Sequence, residues 1–142
     1  MTKTIAVFAS NMWHEGQPIR SDQYDTFRSE GRYPLNIGFG LALLDFDVNI
    51  ICEYWNIPTS KKVEIPNTSK FVTLSNKTIY QHYDYVLLFS QGSKVKALNY
   101  DKLIYMGYEI SHGDEAYSLS QETNKEVTYA CPFPHMINEK GG

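Results

Sequence analysis

An α/β domain built on a mainly parallel sheet of five or six strands flanked by helices is the fold class this sequence predicts. Three observations carry it. Residues 4–8 (TIAVF), 48–52 (VNIIC) and 85–89 (YVLLF) are short, continuous apolar runs rich in β-branched and aromatic residues. Strands buried on both faces look like this, whereas a strand with one wet face alternates. Between the first two runs lies an apolar stretch with a proline at its start and two glycines inside, which reads as a crossover helix. Only Asp45, Phe46 and Asp47 separate that helix from the second strand, the short spacing of a βαβ unit.

Taken in order, strand 4–8 is followed by some twenty-five residues, 9–33, well beyond the two to six of an ordinary βα connection. Trp13, Tyr24 and Phe27 argue against simple disorder there, and the expectation is a loop folded over the strand's carboxyl end to line a pocket. The helix is predicted to begin near Tyr33–Pro34, where a proline loses nothing by lacking an N–H. It continues through Leu35, Ile37, Phe39, Leu41, Leu43 and Leu44. Gly38 and Gly40 weaken it, and close approach to the sheet or a ligand is their expected return. Pro58 and Pro66 bracket KKVEI in a stretch read as irregular. Residues 70–74 (KFVTL) form a candidate strand toward an edge, and residues 78–82 one or two helical turns. Residues 94–98 read as a short amphipathic segment. Residues 103–106 (LIYM) and 127–130 (VTYA) read as strands around a helix at 114–121, with Asp114 and Glu115 in its first turn.

At 142 residues the chain reads as a single domain, 1–142, large enough to bury a core without staples. Two cysteines, Cys52 and Cys131, make no disulfide framework. No apolar run approaches a membrane span or a signal peptide, so a cytoplasmic location is expected. The net charge of −3, with Lys61-Lys62 as the longest basic run, disfavours a nucleic-acid partner. Eleven tyrosines supply amphipathic surface suited to sugars, bases or proteins.

Several complete motifs are missing. There is no GxGxxG or GxxxxGK[ST] after the first strand, no GxSxG elbow, and no HxxxH, HExxH or CxxC spacing. The remaining candidates gather where strands are predicted to end. Past the first strand, His14 and Glu15 are the candidate catalytic base, with Trp13 beside them as a binding residue. Arg32 adjoins the predicted helix start, where backbone N–H groups already favour an anion. Gln91, Gly92 and Ser93 follow the YVLLF strand, and Glu109 and His112 follow LIYM. Each of these groups reads equally well as turn chemistry or a paired surface loop.

The order of strand, long loop, Arg-Tyr-Pro-Leu entry, glycine-containing helix, Asp-Phe-Asp-Val turn and VNIICEYW strand resembles the N-terminal, Rossmann-like domain of GT-B glycosyltransferases, as does the later DYVLLF strand. The resemblance implies an acceptor-side domain of a nucleotide-sugar-dependent glycosyltransferase. The sugar nucleotide, as donor substrate, would be held mainly by a C-terminal partner domain, with no bound cofactor or metal. Trp13-His14-Glu15-Gly16 departs from the Gly-Gly loop common in that family. Two other readings stand beside it. One is a small nucleotide- or nucleoside-handling enzyme resembling nucleoside deoxyribosyltransferases, with His14, Tyr24 and Glu109 gripping a ribose or base. The other is a non-catalytic interaction domain using exposed tyrosines.

Overall fold

The computed structural model describes residues 2–9, 13–14, 17–18, 29–52, 60–89, 95, 97–107 and 110–130, with backbone alone at 13–14, 17–18, 29–33 and 110–111. The elements are β1 (Thr4–Phe8), β2 (Trp13–His14), β3 (Gln17–Pro18), α1 (Ser29–Leu43), β4 (Asp47–Ile51), β5 (Ser60–Glu64), β6 (Phe71–Ser75), β7 (Tyr83–Leu88), β8 (Tyr100–Met106), α2 (Ile110–Thr123) and β9 (Glu126–Ala130). Seven strands form one sheet in the order β5-β6-β4-β1-β7-β8-β9, and β2 and β3 form a separate two-stranded ribbon. The sheet is mixed: β5 runs antiparallel to β6 at one edge, while β1–β4, β1–β7, β4–β6, β7–β8 and β8–β9 pair in parallel.

This corrects the helix-flanked, five- or six-stranded Rossmann-like prediction. The structure is dominated by its sheet, with two helices among the described residues. Two connections explain the difference. The stretch read as irregular holds β5, whose hairpin with β6 takes the place of a crossover helix. Only residues 76–82 then join β6 to β7, which lies three strand spacings away, about 14 Å. Seven helical residues rise only about 10 Å, whereas the same residues extended reach about 25 Å. The turns predicted at 78–82 are therefore replaced by a stretched strap.

The strap is held by a polar network. Tyr83 accepts hydrogen bonds from the N–H groups of Ile79 and Tyr80 and donates to Asn49 Oδ1 at 2.6 Å. Asn49, fully buried on β4, donates to Thr73 C=O and to Ser75 Oγ, which donates to Lys77 C=O. Burial, the phenol's bond to Asp47 and that residue's charge push Tyr80 up to about 12.

Each sheet face carries its own core. Ile5, Val7, Val48, Ile50, Val72, Leu74 and Leu87 lie in one cluster with Leu35 and Ala42 of α1; Ala6, Ile51, Val86, Leu88, Leu103 and Tyr105 lie in the other with Ala116 and Leu119 of α2. α1 starts earlier than predicted and contains Pro34 instead of beginning at it. A Cβ on Gly38 would come within 2.5 Å of Ile50 Cδ1, so this glycine lets the helix approach β4; one on Gly40 would meet nothing within 4 Å. The helix closes with Phe46 N–H to Leu41 C=O and Asp45 N–H to Ala42 C=O, with Asp45 at φ 73°, a Schellman cap without its usual glycine. On the β5 edge, Lys61 and Lys62 are exposed and the Lys62 ammonium lies 4.2 Å from the Phe71 ring centroid; such lysines discourage pairing with another chain.

At the amino edge of the sheet, Asp84 on β7 accepts from Thr4 N–H at 2.8 Å and from Thr4 Oγ1 at 3.2 Å, and the backbone bond foremost holds its carboxyl below the ordinary value. A carboxyl depressed in the folded state stabilises above its unfolded pKa, and that contribution is lost as pH falls through the folded value. Asp84→Asn should therefore lower the melting temperature at pH 7, with the gap to wild type closing below about pH 4 in an acid series. A gap that stays constant with pH would show the carboxylate to be dispensable. Among the described residues no helix is long and apolar enough to cross a membrane.

Candidate functional site

The chain reverses its direction of travel at β1, which has β4 on one side and β7 on the other. In open sheets with parallel strands, ligands bind outside the carboxyl ends near such a reversal. Phe8 ends β1 opposite Leu88, and Leu88 pairs with Tyr105 near the end of β8. The strand ends that precede the Trp13–Glu15, Gln91–Ser93 and Glu109 segments are therefore neighbours, spread over about 10 Å.

The sequence-predicted residues themselves fare as follows. Trp13 and His14 lie on β2 of the ribbon, where His14 pairs with Gln17. Arg32 is the fourth residue of α1 and so falls in its first turn. Only the backbone of these three is described, and Glu15, Gln91, Gly92, Ser93 and Glu109 lie outside the described residues, as does Tyr24. Most of the predicted loop 9–33 shares that status, apart from the ribbon and the start of α1.

Described side chains at this edge form a different group. Tyr105, fully buried on β8, donates its phenol proton to Glu115 of α2. The His112 ring lies 5.8 Å from the Tyr105 ring, centroid to centroid, and the Tyr129 ring from β9 lies at 6.2 Å. Gly107, one residue past β8, makes this approach possible, because a Cβ there would sit 2.5 Å from Tyr129 Cε1 and 2.7 Å from His112 Cβ. α2 begins at Ile110, so Asp114 and Glu115 stand beyond its first turn, correcting their predicted placement. Glu115 is thus turned to the sheet and its phenol partner instead of serving the helix terminus.

A half-buried carboxylate held by a phenol, with an imidazole packed on that phenol, can bind a hydroxyl, stabilise developing positive charge, or attack an electrophilic carbon. Sequence reading singled out His112 but missed Tyr105 and Glu115 as a pair. The usable signal was a tyrosine near a strand end with a glutamate inside the next helix. Among the described residues the carboxyl edge offers no group of three metal ligands. No family model, curated protein or solved structure matches the chain.

Proposed function

We propose that the chain is a small nucleoside-handling enzyme acting on the sugar–base bond, with its site at the carboxyl ends of β1, β7 and β8. The observation that carries this reading is the Tyr105–Glu115 hydrogen bond at the start of the β8–α2 unit. A carboxylate in that place suits glycosyl transfer. One Glu115 oxygen bonds to C1′ as the C1′–N bond breaks, its electrons pass to the base, and the base leaves protonated. Water or a second base then displaces the glutamate. Tyr105 fixes the carboxylate's orientation, and His112, packed on Tyr105, would supply the proton.

The test incubates the chain with purine and pyrimidine ribo- and deoxyribonucleosides and follows free base by chromatography. Glu115→Gln should lower the rate by about 10²–10⁴-fold while Tyr105→Phe keeps part of it. No release or exchange of base by the wild type, together with no chemical-shift response of the α2 amides to nucleosides, would overturn the reading. The second reading, an acceptor-side glycosyltransferase domain with Trp13, His14, Glu15 and Arg32 toward a nucleotide-sugar, rests on the sequence resemblance. A response to nucleotide-sugars or sugar acceptors confined to residues 13–32 would decide for it.

A further inference from the structure

At the opposite, amino edge of the sheet, the geometry points to a divalent transition-metal site formed by His82, Asp84 and Asp101, independent of the proposed activity. One ring nitrogen of His82 and one carboxylate oxygen from each aspartate all lie within 4.8 Å of one another. His82 Nε2 stands 2.9 Å from Asp101 Oδ1.

Strand register makes this group unusual. Tyr83 pairs with Tyr100 and Tyr85 with Lys102 on the neighbouring parallel strands, so Asp84 and Asp101 occupy matching positions between those pairs. Like charges placed side by side across two strands oppose pairing, and the His82 imidazole already lies against Asp101. Asp84 cannot relieve the strain by turning away, because Thr4 on β1 holds it with both its N–H and its hydroxyl. Asp84 is then a pre-oriented oxygen ligand with its own supporting hydrogen bonds, an arrangement typical of metal centres. His82 and Asp101 are exposed and bonded to each other.

One imidazole nitrogen and two carboxylate oxygens suit zinc or a neighbouring first-row ion, with metal–ligand bonds of about 2.0–2.2 Å and water in the remaining position. Magnesium, which favours an all-oxygen shell and keeps its waters, should compete poorly. Binding requires the ion to replace the His82–Asp101 contact, with those two atoms moving apart from 2.9 Å until the ligand atoms stand about 3–4 Å from one another.

Calorimetry with zinc chloride on the full chain should give one site with a dissociation constant below about 100 μM. His82→Ala and Asp101→Asn should each weaken it at least about tenfold, and Thr4→Val should weaken it through Asp84. Wild-type amide spectra provide a reading that does not depend on any variant folding, with zinc-induced shifts centred on Thr4, Asp84 and Asp101. Absence of binding at millimolar zinc, affinity unchanged in both exposed variants, or shifts centred elsewhere would each overturn the site.

Discussion

Asn49→Leu is expected to destabilise the protein by about 3 kcal/mol, measured as a lower urea midpoint at an unchanged slope. Leucine shares asparagine's branched heavy-atom skeleton and matches the apolar run of β4, so sequence alone recommends it. The loss comes from what asparagine leaves behind: a Tyr83 phenol without its acceptor, and Thr73 C=O without a side-chain donor. Each buried orphan costs about 1–3 kcal/mol, partly offset by the added apolar burial. Because replacing both partners by apolar groups can be nearly neutral, Asn49→Leu with Tyr83→Phe should cost clearly less than the two single changes added together. A midpoint for Asn49→Leu within error of wild type would show that the strap is held by other contacts.

Gly107→Ala should cost about 1–3 kcal/mol, the range for forcing a methyl into packed surroundings. The new Cβ would stand 2.6 Å from the Tyr129 hydroxyl as well as against the ring edge and His112 Cβ. Relief requires the Tyr129 ring to swing off Tyr105 or β9 to shift at its sheet edge. Hydrogen exchange should therefore quicken in β9, including around the Gly107 N–H to Ala130 C=O bond of 2.9 Å. In a Tyr129→Ala background the penalty should fall without vanishing, because the 2.7 Å approach to His112 Cβ remains. Equal penalties in both backgrounds would place the conflict at His112 alone.

How much could be read from the chain follows from where each signal was stored. Buried strands β1, β4 and β7 announced themselves through runs such as TIAVF and YVLLF, because burial on both faces removes any polar requirement along the run. β5 was invisible because an edge strand of Ser-Lys-Lys-Val-Glu buries only Val63, and flanking prolines resemble loop punctuation. α1 was read late because Pro34 imitates a helix start, while Ser29–Tyr33 carry no apolar period. The polar network and the amino-edge site depend on partners distant in sequence: Asn49 with Tyr83, Thr4 with Asp84, Asp84 with Asp101. Local patterns do not encode such pairs, since only strand order decides which residues meet.

The central place of β1 has a consequence for synthesis. Its partner on one side, β4, follows about forty residues later, but the partner on the other side is β7, and Thr4 meets Asp84 across eighty residues. At about 5–20 residues per second, the ribosome needs about 4–16 s to deliver that second neighbour. During that interval one long edge of the most apolar strand is open on the nascent chain. Cells should therefore show chaperone dependence concentrated in the time before β7 emerges, with slower elongation lengthening the exposure.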